Sequence, residues 1–267
     1  MSTIRFLRTF VAVAEHGSFA AAASQVALTQ AAVSLQMRSL EQELRRALFD
    51  EMRVPLADAE AMAGAVAVGA VVSVMGGLSH VVAGLKQTYP ALDVRLIGAK
   101  SFELAAMVES GELDAAFVVE GSARLAGTLH WTPLYDEPIV AIASRGSHGD
   151  DARQALAANP FLRFDRSQRT GALVERALRR AHLRTNEYLE LNSIEALVEL
   201  VRQEVGVTVV PLLKRARWRD DKALRILPLR AGGEPVVRTI GMLERRDHGR
   251  VHVTEAIRAA CEALFGT

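Results

Sequence analysis

From Ala65 to Leu243 strand-like and helix-like patterns alternate, and the alternation runs through twice. Ala65 to Val72, Asp93 to Ile97 and Ala115 to Val119 are short apolar or β-branched runs. Between them, Gly77 to Tyr89 is helical up to Pro90, and Phe102 to Ser110 is helical up to Gly111. Parallel strands need long crossover connections, so a βαβαβ order predicts a parallel sheet covered by helices. Leu129 to Leu134 and Ile139 to Ser144 then read as extended crossing segments, after which the pattern restarts. Strand Phe161 to Phe164, helix Gly171 to Ala181, strand Tyr188 to Leu191, helix Ser193 to Gln203 and strand Val207 to Val210 form the second set. The chain returns through Val236 to Leu243 and closes on an amphipathic helix, Val251 to Phe265. Two similar α/β halves joined by crossing strands predict a two-lobed domain. Its cleft lies at the strand carboxyl ends, where open α/β sheets take ligands.

A membrane span competes for the first of these strands. Ala61 to Leu85 holds no Asp, Glu, Lys or Arg and is long enough as a helix to cross a bilayer core of ~30 Å. Its glycines (Gly64, Gly69, Gly76, Gly77, Gly84), with Ser73, Ser79 and His80, favour a buried parallel strand, a glycine loop and the start of a helix. No cationic and apolar leader opens the chain, and a single cysteine, Cys261, has no intrachain partner. The chain therefore reads as cytoplasmic, with no membrane partner. With 32 Lys+Arg against 31 Asp+Glu, bulk charge does not call for a polyanion, so a nucleic-acid reading must rest on local pattern.

The first fifty residues supply one. Ile4, Leu7, Phe10, Val11 and Ala14 recur at helical spacing, and Gly17 stands where a left-handed cap ends that helix. Ser18 is a good N-cap for a short alanine-rich helix, Phe19 to Val26, followed by a turn at Ala27 and Leu28. Thr29 can cap a third helix from Gln30, with Leu28 and Val33 spaced as a hydrophobic staple. Val33, Met37, Leu40 and Leu44 form its buried stripe, which leaves Gln30, Ala31, Ser34, Leu35 and Arg38 on another face. This is helix-turn-helix geometry. The Gln30 amide suits adenine, Ala31 a thymine methyl, Ser34 a base edge or phosphate, and Arg38 phosphate or guanine. A three-helix bundle with a solvated polar face has the same periodicity.

The order Gly17-Ser18-Phe19-Ala20-Ala21-Ala22, then Leu28-Thr29-Gln30-Ala31-Ala32-Val33-Ser34-Leu35-Gln36-Met37-Arg38-Ser39-Leu40-Glu41, then Leu48-Phe49-Asp50, resembles the N-terminus of LysR-type transcriptional regulators. Gly111 to Ala116, Glu137 to Val140 and Val205 to Pro211 are similar to recurring phrases of the same family. The resemblance implies a periplasmic-binding-protein-like effector domain behind the helical head, and a homodimer or homotetramer. It also implies Thr29, Gln30, Ala31, Ser34, Leu35 and Arg38 as contacts to double-stranded promoter DNA. Departures from the family pattern are Arg45 for glycine, Ala31 for proline and Leu35 for a polar or basic residue. After Asp50, where the family continues with a wing and a long dimerisation helix, only Glu51 to Ala63 intervene, about 20 Å as helix. The expected division is a DNA-binding head over 1–50, a shortened join over 51–63 and an effector domain over 64–267. Lobe one of that domain covers about 64–142 and 237–267, and lobe two about 143–236.

Polar residues just after strands are the candidate ligand contacts: Ser73; Lys100, Ser101 and Phe102; Arg163, Phe164 and Ser167; Asn192 and Ser193. Helix starts near Ser73, Phe102 and Ser193 suit a carboxylate, and Lys100 or Arg163 can pair with it. Ser101 and Ser193 serve equally as plain helix caps, and the arginine-rich stretch 161–184 reads more readily as a solvated face than as an attractor of anions. No phosphate loop, Gly-x-Ser-x-Gly or His-Glu-x-x-His occurs. His248 and His252 lack a third nearby ligand, and Cys261 sits where core is expected, so the sequence implies neither metal nor cofactor and no catalysis. The resulting expectation is a promoter-binding regulator controlled by a small-molecule effector, plausibly a carboxylate. A small-molecule-binding protein with a vestigial head is the alternative, and an enzyme on the same scaffold a third.

Overall fold

A computed structural model describes residues 2–16, 19–44, 62–121 and 126–265. The chain divides into two compact units, 1–64 and 65–267.

In the first unit three helices, α1 (Ser2–His16), α2 (Phe19–Gln25) and α3 (Gln30–Leu44), surround a small apolar core. Ala12 and Val13 of α1, Ala22 and Ala23 of α2, and Val33, Met37 and Leu40 of α3 are buried together, with Leu28 packed against them. Alanine on α2 lets that helix approach closely, while the larger Met37 and Leu40 fill the space between helices. Ala27 takes a left-handed conformation, φ 53°, to turn the chain, and the Thr29 hydroxyl caps α3 by accepting from the Ala32 N–H at 3.2 Å. The anticipated caps at Gly17 and Ser18 and the join from 51 to 61 lie outside the described residues, as does the side chain of Leu44.

The second unit runs β1 (Gly64–Ala70), α4 (Val72–Thr88), β2 (Leu92–Gly98), α5 (Ser101–Ser110), β3 (Ala115–Val119) and β4 (Leu129–Ser144). It continues α6 (Ala152–Ala158), β5 (Pro160–Phe164), α7 (Arg169–Arg180), β6 (Asn186–Leu191), α8 (Ile194–Arg202) and β7 (Val207–Pro211). A 3-10 turn (Arg217–Asp220), β8 (Leu224–Pro228), β9 (Arg230–Ala231), β10 (Glu234–Pro235), β11 (Val237–Arg245) and α9 (Val251–Phe265) complete it. The strands follow the order β2-β1-β3-β11-β4-β7-β5-β6, with β8 also on β4. β4 carries the sheet from one lobe to the other: through Pro138 it pairs with β11, and from Ile139 with β7 and β8. We call the β2-β1-β3-β11 side lobe one and the β7-β5-β6 side lobe two. In lobe two, Phe161, Val174 and Leu178 are buried on one face of the sheet and Leu162, Leu197 and Trp218 on the other, as expected for strands covered on both sides.

Several elements differ from the sequence reading. β1 ends at Ala70, paired with Phe117 on β3; Val71 still donates its N–H to the Phe117 carbonyl at 3.0 Å but stands as the N-cap of α4, and Val72 opens that helix. Gly76 and Gly77 are helical and make no loop. The Phe265 ring lies over Gly77, and a Cβ there would stand 2.1 Å from its Cζ. The two crossing segments are one strand, β4, of 16 residues. α6 and β8 add cover and an edge to lobe two that periodicity did not reveal. Among the described residues no helix is long and apolar enough to cross a membrane.

Gly171 shows how tightly α7 is seated. A Cβ on it would lie 2.0 Å from the Asp165 carbonyl oxygen, in the turn that leads into α7. Helix propensity favours Gly171→Ala by about 1 kcal/mol, but the clash with fixed backbone reverses the sign. We expect a net loss of about 1–3 kcal/mol and a melting temperature lowered by roughly 2–4 °C per kcal/mol. A melting temperature equal to or above that of the parent protein contradicts this account.

Candidate functional site

Both lobes contribute to one cavity of about 520 Å³, which lies at the strand carboxyl ends. Four helices begin on it. Val72, Ser73 and Val74 of α4, Ser101 of α5, Gln168, Arg169 and Thr170 at the start of α7, and Ser193, Ile194 and Glu195 at the start of α8 all line it. Helix N-termini carry partial positive charge and unbonded N–H groups. Ser193 caps its own helix by accepting from the Ala196 N–H at 3.3 Å, whereas α4 and α7 begin at Val71 and Gln168 without a side-chain cap.

The floor of the cavity is a buried ion pair at the strand crossing. Arg238 on β11 and Glu137 on β4 are register partners, 3% and 2% exposed. The Arg238 Nε and Nη2 both donate to Glu137 Oε2, at 2.8 and 2.5 Å. The remaining donors reach the lobes: Nη1 to the Thr170 hydroxyl of α7 at 2.8 Å, and Nη2 to the Ser73 hydroxyl of α4 at 3.0 Å. The other carboxylate oxygen of Glu137 accepts from the Lys214 N–H at 3.2 Å. A guanidinium offers five donors in a fixed plane, which is what allows one side chain to bind both crossing strands and both lobes. Two further contacts cross between the lobes. Arg169 donates to the Val119 carbonyl at 2.6 Å, and Lys100 donates to the Ser167 hydroxyl at 2.8 Å with Asp165 Oδ2 at 3.4 Å. Burial works to raise the Asp165 carboxyl, yet the Ser167 hydroxyl and amide, the Gln168 amide and the Lys100 ammonium hold it below the usual range. Tyr135 stacks on Phe265 with ring centroids 4.6 Å apart beside the ion pair. Burial, then the Glu137 carboxylate, push its phenol upward, so it stays a proton donor.

Of the residues anticipated as ligand contacts, Ser73, Ser101, Phe164, Asn192 and Ser193 line this cavity. Lys100, Phe102, Arg163 and Ser167 do not. Phe102 lies on the surface, 59% exposed, and Lys100 and Ser167 are engaged with each other across the lip. Arg163 is placed elsewhere by strand alternation. It shares a face of β5 with Phe161, over whose ring it sits at 5.0 Å, and its guanidinium is held by Glu175 and Glu187 at 2.7 and 2.5 Å. Sequence reasoning missed Arg238, Glu137, Thr170, Tyr135, Arg169 and the Lys214 to Arg217 loop. No sequence signal singled out the pair, since Asp136 stands beside Glu137 on β4 and Glu244 and Arg245 share β11 with Arg238. On α3, Gln30 and Leu35 are exposed and Ser34 half-exposed, and Thr29 is engaged in its cap. The side chains of Ala31 and Arg38 lie outside the described residues. Among the described residues no group of three or more His, Cys, Asp or Glu could hold a metal ion, and His248 instead lies 3.3 Å from Glu244.

A bilobal α/β ligand-binding fold behind a helix-turn-helix is the architecture of ligand-responsive regulators. Two family models cover the chain: the bacterial regulatory helix-turn-helix of the lysR family over 4–59, and the LysR substrate binding domain over 59–266. The chain belongs to the LysR-type family of DNA-binding transcriptional regulators. It is similar to the DNA-binding transcriptional dual regulator OxyR of Escherichia coli, at 29% identity over 308 aligned residues, 98% of this chain and 97% of that one. The transcriptional regulator CzcR of Bacillus subtilis is 25% identical over 235 residues, 78% of this chain and 80% of that one. A hydrogen-peroxide-bound cysteine mutant of Corynebacterium glutamicum OxyR has the same fold, with a TM-score of 0.64 at 20% identity over 100% of this chain and 93% of that one.

The ion pair gives a direct test. Glu137→Gln strands a buried guanidinium and is expected to cost about 3–5 kcal/mol, whereas Glu137→Leu combined with Arg238→Met removes both charges and recovers most of that loss. Thermal or denaturant unfolding of the three proteins decides it, and equal stability of the single and double variants would contradict the assignment.

Proposed function

We propose that this regulator reads promoter DNA through the start of α3, as a homodimer or homotetramer in the cytoplasm. Its promoter binding is controlled by a small carboxylate bound between the lobes, and it catalyses no reaction. In this division residues 1–50 are the DNA-binding head, 51–63 a shortened join and 64–267 the effector domain. The observation that carries the ligand reading is the meeting of four helix starts on a cavity whose lining carries more cationic than anionic side chains. A carboxylate there touches α4 of lobe one and α7 and α8 of lobe two. Its affinity therefore depends on how the lobes are set, and that dependence is what lets a ligand shift a conformational equilibrium.

Relatives of this chain are named for induction by hydrogen peroxide. Direct peroxide sensing by a thiol needs an accessible thiolate. Cys261, the one cysteine of the sequence, is fully buried on α9, and burial followed by the Glu262 carboxylate pushes its thiol up to about 12. We therefore read reversible ligand binding, rather than thiol oxidation, as the signal for this chain.

The two family models meet at residue 59 with no residues between them, and the alignment to OxyR runs over 308 positions, more than the 267 residues of this chain, so part of it falls opposite gaps in this chain. That shortening favours, as a second reading, a binding protein whose head no longer holds specific DNA. Fluorescence anisotropy separates the two, using DNA that flanks the protein's own gene against scrambled DNA over a range of salt. The regulator reading expects specific binding, weakened by about 2–6 kcal/mol in Gln30→Ala with Ser34→Ala, since each side chain that reads a base edge is worth about 1–3 kcal/mol. Equal, salt-sensitive binding to both DNAs, or none, leaves the second reading.

A further inference from the structure

The polar groups of the cavity fall into two zones that differ in charge balance. On the floor, Arg238 is matched by Glu137, so the strongest cation of the deep end is already neutralised by the protein's own carboxylate. What the floor still offers is a neutral donor. Tyr135 is 8% exposed and lines the cavity, and its hydroxyl makes no hydrogen bond among the described residues. A buried phenol beside a cavity without a protein partner is a group shaped for an acceptor on a ligand.

The rim is different. Arg169, Lys214, Arg215 and Arg217 line it, against a single carboxylate, Glu195. Arg169 is partly desolvated, which lowers its guanidinium from the ordinary value, and it donates to a backbone carbonyl rather than to a carboxylate. The side chains of Arg215 and Arg217 are exposed and make no hydrogen bond or ion pair among the described residues. All four cations belong to lobe two, and the bare first turn of α4, with Ser73 and His80, faces the same space from lobe one. Arg215 and Arg217 have no carboxylate partner among the described residues, and drawing the lobes together over such cations is unfavourable in a medium drier than water.

Building on the anionic reading above, we propose that the ligand carries a doubly charged head, two neighbouring carboxylates or a phosphate monoester. The head is held by Arg169, Arg215 and Arg217 at the rim, and an uncharged body reaches the Tyr135 hydroxyl on the floor. Arginine forks match both head groups by paired hydrogen bonds. Because the head is bound by lobe two and attracted by the start of α4, its second charge acts on lobe closure as well as on affinity.

The test uses the full-length protein and calorimetric titration with hexanoate, butylmalonate and butyl phosphate. Butylmalonate is hexanoate with a second carboxylate on the same carbon, so the pair isolates the added charge. We expect butylmalonate or butyl phosphate to bind at least about tenfold more tightly than hexanoate, and the better of the two identifies the head group. That advantage should fall to about twofold or less in Arg215→Gln with Arg217→Gln, whose exposed positions leave folding unaffected, as an unchanged melting temperature will verify. The proposal is overturned if hexanoate binds as tightly as both dianions, or if the advantage survives in the double variant; in either case the simpler carboxylate reading stands. If none of the three binds, the anionic reading of the cavity is lost with it.

Discussion

The buried pairing of Arg238 with Glu137 ties together the strands that join the two lobes of the second unit. The two residues are register partners at the place where β4 leaves lobe one for lobe two and β11 returns. A charge pair buried this deeply is expensive to desolvate and contributes little net stability against an apolar pair of the same size. Its value lies in direction. Five fixed donors on Arg238 and two oxygens on Glu137 tie the crossing strands to Ser73 on one side and to Thr170 and the Lys214 amide on the other. An apolar pair would fill the same volume without holding the starts of α4 and α7 in a set relation to each other.

That relation explains how the cavity is lined by more cationic than anionic side chains while Arg238 on its floor stays paired. If Arg238 were free, it would be the natural partner of an entering carboxylate, and the lobes would lose their shared anchor on each binding event. With Glu137 in place, Arg238 is already paired, and the proposed recognition falls to the helix starts, the Tyr135 phenol and the cations outside the floor. The contacts across the lip are of a weaker kind. Lys100 with Asp165 and Ser167 is partly solvated, so it is screened and individually worth little. The floor is thus held by buried, paired groups and the lip by a solvated contact.

Much of this was legible in the sequence, for reasons that can be stated residue by residue. The head was readable because its signals are local: Thr29 caps α3, Leu28 packs with Val33, and Val33, Met37 and Leu40 recur on one helix face. The parallel strands were readable because they are continuous apolar runs. Ser73, Ser101, Phe164, Asn192 and Ser193 line the cavity because it opens just after such strands. β4 was divided because Asp136, Glu137 and Pro138 interrupt its apolar run, yet that interruption is the crossing itself, where the Pro138 carbonyl accepts from the Leu212 N–H at 2.7 Å. Arg163 was assigned to the cavity by its place in the chain, whereas alternation along β5 turns it to the other face with Phe161. Arg238 could not be assigned at all, since its partner lies 101 residues away and no local pattern records such a pairing.

The same contrast between local and distant constraint bears on how the head is used. A two-fold operator is read by two recognition helices about 34 Å apart. In the LysR-type pattern, a long helix between head and effector domain sets that distance. Thirteen residues, Glu51 to Ala63, span about 20 Å as helix, and more only if extended at up to ~3.6 Å each. An extended segment presents no continuous apolar stripe for a partner helix, and a helix this short offers less than four turns of one. The proposed paired reading of DNA therefore asks more of contacts outside residues 51–63 than the LysR-type pattern does.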